Sequence, residues 1–303
     1  MEASDLSDTP SVLGRPLSSV SHGVGELSGR RHLLDLDNLS KGDIQDILDT
    51  TDAMKEVLKR DIKKVPTLRG KVIVTLFSEP STRTRISFEE AGKLLSAEVI
   101  NVDASRSSVE KGESLLNTAL TLQAMGTDIL LIRHSHSGAP YFVARHLDSV
   151  SVINAGDGLH AHPSQALLDM YTIRERFGKL EGLRVVIVGD VLHSRVARSN
   201  LWGLMNMGAS VTLCGPPTLL PQFWFEKINN DLNEDHLLRS VKLETNLDRA
   251  LIDADVVMAL RLQVERQHTG FLPSLREYTR LWQVNSKRLS LANPNVVVMH
   301  PGP

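Results

Sequence analysis

The chain has 303 residues with 34 basic against 36 acidic side chains, a formal charge of −2; this balance excludes a general nucleic-acid binder, which would carry a basic excess. Its single cysteine, Cys214, cannot close an internal bridge, and no Cys/His cluster has zinc-ligand spacing, so neither a disulfide framework nor a metal site is expected. The length predicts two domains at roughly 150 residues each, and the longest apolar runs, such as 185–188, fall far short of the ~20 residues of a membrane helix.

Residues 1–30 are rich in Ser and Gly without an apolar stretch of signal-peptide length; they read as a flexible tail, and a reducing cytoplasm suits the lone cysteine. A helix is expected from Ser40, where Ser40 and Asp43 have capping-box spacing and Ile44, Ile47, Leu48, Met54, Val57 and Leu58 recur with helical period. Beyond it, β-rich runs at 71–77, 98–103, 128–133 and 151–154 alternate with amphipathic patterns starting near Arg83, Gly112 and Gly138, and a helix follows over 162–177. Gly178 and Gly182 suggest a hinge, which sets a first domain at 31–178 and a second at 179–303. The second half repeats the alternation, with strands at 184–189, 210–215, 240–243, 255–260 and 295–300 and helices starting near Ser194, Leu220, Leu247 and Ser274. The pattern predicts an α/β fold of two doubly wound domains with parallel sheets. Ligands of such sheets sit beyond the carboxyl ends of the strands.

The residues at those ends are suited to anions. The first strand runs into Ser81-Thr82-Arg83-Thr84-Arg85 at a helix start, where unpaired N–H groups, hydroxyls and forked guanidinium groups suit phosphate oxygens. The glycines of a Walker loop are missing, which argues against a nucleoside triphosphate. The loop 103–113 that follows the second strand reads by itself as solvated. Arg133 stands at the tip of the third strand. His162 precedes Pro163 at a helix start, where the helix dipole disfavours a charged imidazole and leaves a neutral hydrogen-bond donor. In the second half, Val188-Gly189-Asp190 lacks the further glycines of a dinucleotide fingerprint, so no nicotinamide cofactor is expected. Arg195 opens a helix there, and Arg261-Leu262-Gln263 follows a strand. Strand-tip arginines in both halves imply a substrate with anionic groups at each end of an interdomain cleft.

Together, Ser81-Thr82-Arg83-Thr84-Arg85, Lys111-Gly112-Glu113, Arg133-His134, His162-Pro163-Ser164-Gln165, Arg195, Arg261-Leu262-Gln263 and His300-Pro301-Gly302-Pro303 resemble the aspartate/ornithine carbamoyltransferase family over about residues 31–303. The aspartate-using catalytic chains are the nearer branch, because ornithine-using members carry a His-Cys-Leu-Pro where this chain has His-Pro-Gly-Pro. The resemblance implies carbamoyl transfer from carbamoyl phosphate to L-aspartate, without cofactor or metal, in a cytoplasmic homotrimer whose active sites are shared between neighbours. It implies that Ser81, Thr82, Arg83 and Thr84 hold the phosphate, that Arg133, His162 and Thr84 act on the carbonyl oxygen, and that Gln165 contacts the carbamoyl amide. Ser107 and Lys111 would reach in from the adjacent subunit. Arg195, Arg261 and Gln263 would bind aspartate, with Lys111 also at the aspartate side, and the backbone carbonyls of Pro301 and Gly302 would meet the nitrogen. Two alternatives stand beside this reading: transfer to another amino acid such as ornithine, and a non-catalytic assembly subunit. Association with a regulatory chain or a dihydroorotase is left open, and no nucleic-acid or membrane partner is expected. The sequence ends at Pro303, where family members continue into a helix that folds back on the first domain, so that helix is expected to be missing.

Overall fold

The computed structural model describes residues 31–103, 114–222, 240–263 and 274–302. Helix α1, Lys41–Leu58, starts where the capping pattern puts it. Ser40 accepts from the Asp43 backbone N–H, and the Asp43 side chain accepts from the Ser40 N–H. These reciprocal bonds satisfy two of the donors that a helix start leaves open.

The first sheet contains β1 (Val72–Phe77), β2 (Glu98–Asp103), β3 (Ile129–His134) and β4 (Ser151–Asp157), all parallel, in the order β2-β1-β3-β4. The second contains β5 (Arg184–Val188), β6 (Ser210–Cys214), β7 (Lys242–Glu244), β8 (Val256–Ala259) and β9 (Val297–Met299), again parallel, in the order β7-β6-β5-β8-β9. Five of the six β1 residues and four of the five β5 residues are buried, as both faces of a parallel sheet are covered by helices. On the first lobe these are α2 (Thr82–Leu94), α3 (Leu115–Ala124), α4 (Ala139–Ala144) and α5 (Pro163–Phe177). On the second they are α6 (Arg195–Asn206), α7 (Leu247–Leu251), α8 (Leu275–Trp282) and α9 (Ser286–Leu289).

Both sheets reverse their strand order once. In the first the reversal falls between β1 and β3, and in the second between β5 and β8. A crevice opens at the carboxyl end of each reversal, which places the segments after β1, β3, β5 and β8 around whatever lies between the lobes. One core joins the lobes from behind: Ile44 and Leu48 of α1, Met170 and Ile173 of α5, and Leu201 and Leu204 of α6 pack in a single cluster with Ile187 and Met258 of the second sheet. Residues 31–36 reinforce the junction, as Leu33 bridges the edge of β4 in parallel before Leu36 enters that core.

Several boundaries differ from the sequence expectation for identifiable reasons. β4 runs on past Asn154 through Ala155, Gly156 and Asp157, a stretch with little apolar signal. It stays buried because Asn154 donates to the Leu34 carbonyl and to Asp157. The third helix starts from Ser114, whose side chain accepts from Asn117 N–H, two residues past the expected glycine. A turn at Pro217–Leu219 precedes the helix expected near Leu220, which falls on 223–239, outside the described residues. Helix α9, held by an Asn285 cap, is too short to carry a periodic signal. Among the described residues no helix is long and apolar enough to cross a membrane.

Candidate active site

β1 ends at Phe77, beside Arg133 in the register of β3, and the turn after it leads through Glu79 to Ser81, the N-cap of α2. Ser81 makes no side-chain cap bond, so its hydroxyl is not used up in closing the helix. The first-turn N–H groups of a helix are likewise left without intrahelical partners. Arg83, in that turn, donates from Nη1 to the Pro301 carbonyl at 3.1 Å, which ties the first lobe to the segment after β9. The fit there is close: Gly302 has φ +112°, and a Cβ on it would collide with the Arg83 guanidinium.

Arg133 reaches across the end of its sheet to donate to the Ala155 carbonyl at 3.1 Å, and its Nε lies 3.4 Å from Glu79 Oε2. His162 caps α5 and is 8% exposed. Its backbone N–H donates to Ser199 of α6 at 3.0 Å, and the Ser199 hydroxyl donates to Asp35 at 2.8 Å. Gln165, on the first turn of α5, donates from Nε2 to Asp169 at 2.9 Å. Burial pushes the carboxyls of both Asp35 and Asp169 up to about 6, against the hydrogen bonds they accept.

On the second lobe, Arg195 is the first residue of α6 and only 4% exposed. A guanidinium at a helix N-terminus meets the positive end of the dipole, so its burial calls for anions. Glu79 Oε2 accepts from Arg195 Nη2 at 3.1 Å and the Gly158 carbonyl accepts from Nη1 at 3.2 Å. Arg261, just past β8, donates to the Gln263 side chain at 3.3 Å. Gln263 is held in turn through its N–H, which donates to the fully buried Asp190.

These groups meet. A cleft of about 550 Å³ between the lobes is lined by Ser81, Thr82, Arg83, Thr84, Arg133, His162, Gln165, Arg195, Arg261, Gln263, Pro301 and Gly302, together with Ser194, Val196 and His300. Four arginines line it, and among the described residues no carboxylate does. Every candidate site residue within the described residues is therefore at one place; Ser107 and Lys111 lie outside the described residues. A larger, more open hollow of about 1160 Å³ sits over α8 and α9, with Arg276, Arg280 and Lys287 on its walls. It holds none of the strand-tip groups. Sequence reading missed the supports behind the lining: Glu79 between two arginines, Asp35 and Ser199 behind His162, and Asp169 and Asn200 behind Gln165. Glu79 had a signal, a lone acid two residues before an arginine-rich helix start; the others depend on contacts between distant segments, of Ser199 with Asp35 and His162 and of Asn200 with Asp169.

The fold and cleft define a two-lobed α/β protein with an arginine-lined crevice at the switch points of its two sheets, a lining suited to anionic small molecules. Residues 31–175 match the family model described as aspartate/ornithine carbamoyltransferase, carbamoyl-P binding domain, and residues 181–303 match that of the Asp/Orn binding domain. The chain belongs to the aspartate/ornithine carbamoyltransferase family. It is 59% identical over 275 residues to the aspartate carbamoyltransferase catalytic subunit of Roseiflexus sp. (strain RS-1), covering 90% of this chain and 83% of that one. It is 57% identical over 276 residues to the same subunit of Chloroflexus aurantiacus (strain ATCC 29366 / DSM 635 / J-10-fl), covering 90% and 86%. Among solved structures, aspartate transcarbamoylase from Trypanosoma cruzi in complex with carbamoyl phosphate and aspartate superposes with a TM-score of 0.77 at 28% identity, over 90% of this chain and 85% of that one. The same enzyme with N-(phosphonacetyl)-L-aspartic acid gives 0.74 at 29% identity, over 90% and 84%.

Proposed function

We propose that the chain transfers the carbamoyl group of carbamoyl phosphate to the α-amino group of L-aspartate, giving N-carbamoyl-L-aspartate and phosphate, a reaction of de novo pyrimidine biosynthesis. The observation that carries this reading is the cleft itself: arginines from both lobes line one small crevice, and no carboxylate stands among its described lining residues. Carbamoyl phosphate carries a dianionic phosphate and aspartate two carboxylates, so such a lining offers each a cation partner. The first lobe, 31–178, takes carbamoyl phosphate, with its phosphate against Ser81, Thr82, Arg83, Thr84 and the start of α2. The second, 179–303, takes aspartate, with its carboxylates on Arg195, Arg261 and Gln263. Gln165 and the carbonyls of Pro301 and Gly302 face the carbamoyl nitrogen; the Pro301 oxygen has a second lone pair beyond the one used by Arg83.

The uncharged amine attacks the carbonyl carbon, a C–N bond forms, and the negative charge moves to the carbonyl oxygen. Arg133, His162 and Thr84 donate to that oxygen; one such donor typically lowers a barrier by about 2.7 to 4 kcal/mol. The C–O bond to phosphate then breaks and the proton of the attacking amine leaves with the phosphate. Fixing the two reactants in attack geometry contributes roughly 7 to 11 kcal/mol more. A homotrimer in which Ser107 and Lys111 complete a neighbour's site belongs to the same reading, and a monomeric mass under turnover conditions would remove that element.

The experiment is a steady-state assay of carbamoyl transfer to a panel of amine acceptors, with Arg261→Ala beside the unmodified chain. Losing a charge-assisted bond to the amino-acid carboxylate is expected to lower kcat/KM for aspartate by roughly ten- to a hundredfold while the KM for carbamoyl phosphate stays close to its original value. Equal losses for both substrates, or faster transfer to ornithine than to aspartate, would overturn the assignment.

A further inference from the structure

One carboxamide faces the cleft from α5, that of Gln165. Behind it lies a short chain of bonds with a fixed direction. Asp169 Oδ1 accepts from Gln165 Nε2 at 2.9 Å, and Asp169 Oδ2 accepts from Asn200 Nδ2 at 2.7 Å. Asn200 cannot turn over, because its Nδ2 also donates to the Val196 carbonyl at 3.1 Å. Asp169 is 5% exposed, outside the cleft lining, and its two bonded neighbours are both neutral amides. An ionised carboxylate can only accept. Whichever way the Gln165 amide is drawn, its nitrogen must therefore face Asp169 and its oxygen must face away.

We infer that Asp169 is a positioning residue that sets acyl-donor selectivity: by holding the nitrogen of Gln165 it keeps the Gln165 oxygen turned to the cleft as an acceptor, so that the site reads an N–H on the acyl group and selects a carbamoyl over an acetyl phosphate. The inference rests on the reaction proposed above and deepens it. The two acyl groups differ by an NH2 against a CH3 of nearly the same size, so shape separates them poorly. A buried acceptor left facing a methyl group loses its partner, and that loss discriminates more strongly than a difference in volume. The carboxylate is costly to bury, and an apolar side chain would fill the seam between α5 and α6 more cheaply. What an apolar side chain cannot do is orient an amide.

The test compares kcat/KM for carbamoyl phosphate and acetyl phosphate, each with aspartate as acceptor. In Asp169→Asn the introduced amide oxygen takes the Asn200 donor, and the introduced nitrogen turns to Gln165, whose amide must reverse and present its own nitrogen to the cleft. The carbamoyl-over-acetyl preference is expected to fall by about ten- to a hundredfold, the range of one unsatisfied buried polar group. Adding Gln165→Glu to Asp169→Asn restores an acceptor on the cleft side, since one carboxylate oxygen takes the new donor and the other faces the substrate. Partial recovery of the preference in that double variant is expected, and a merely structural role for Asp169 would not produce it. Gln165→Met, which leaves the Asp169–Asn200 bond intact, is expected to lose the preference too, and it serves if Asp169→Asn does not fold. An unchanged preference in Asp169→Asn or in Gln165→Met, or no recovery in the double variant, overturns the inference. Failure of the unmodified chain to make carbamoyl aspartate would instead strike the proposed reaction, so the two outcomes are separable.

Discussion

Asp35 accepts the Ser199 hydroxyl and the Leu36 N–H on the same oxygen, both at 2.8 Å, while only 3% exposed. Burial dominates its titration and lifts the carboxyl to about 6 from an ordinary value of 3.8. The sign of the consequence is fixed by which state binds more protons. Between pH 3.8 and 6 the folded chain holds a proton on Asp35 that the unfolded chain has lost, so the stability due to this group rises as pH falls through 6. In Asp35→Asn the amide oxygen can accept both bonds, and nothing titrates. Lowering the pH from 7.5 to 5 should therefore shift the stability difference in favour of the unmodified chain by about 1.4 kcal/mol. Urea unfolding of both proteins at the two pH values measures it; parallel pH dependences would mean that Asp35 is not the group responsible. Such a residue is illegible in sequence because an Asp between two leucines reads as a surface position, and its partner, Ser199, is 164 residues away.

At the scale of elements, strand tips were readable and strand interiors less so, for one reason. A parallel strand buried on both faces is an apolar run, so β1, β3 and β5 announce themselves, and the polar residue that ends the run marks the site. β4 breaks this rule. Its last residues pass beneath the cleft, and Gly156 adopts φ +117° with a would-be Cβ 3.0 Å from both Arg133 Nη1 and Arg195 Cζ. No L side chain suits that conformation, and none fits between the two guanidinium groups. Gly156→Ala is expected to cost about 1 to 3 kcal/mol of stability through the strained backbone, and to lower kcat/KM by more than the loss of folded protein explains, because both arginines must shift. Thermal melting paired with kinetics on the fraction that remains folded checks this. Full activity in a destabilised variant would separate the glycine from the site and leave it a purely structural requirement.

The whole molecule depends on ties that cross between the lobes, and these were the least legible of all because each joins residues far apart in the chain. Arg83 reaches the Pro301 carbonyl across 218 positions, and Glu79 reaches Arg195 across 116. Glu79 is the most consequential of them. Its Oε2 lies 3.1 Å from a guanidinium of the second lobe and 3.4 Å from Arg133 of the first, so one oxygen holds together two cations that would otherwise repel across the cleft. A phosphate and two carboxylates add negative charge on the cleft side of the same arginines, and the lobes can then stay close only while Glu79 keeps both guanidinium groups aimed inward. Glu79→Gln keeps the size and one acceptor oxygen but removes the charge. We expect kcat/KM for aspartate to fall by roughly tenfold or more, since the lost bond is charge-assisted, and small-angle scattering with phosphonacetyl-aspartate to give a larger radius of gyration than the unmodified chain with the same ligand. Wild-type kinetics and an equally compact liganded form would show that the two arginines hold their places by the ligand alone, and that Glu79 merely neutralises them when the cleft is empty.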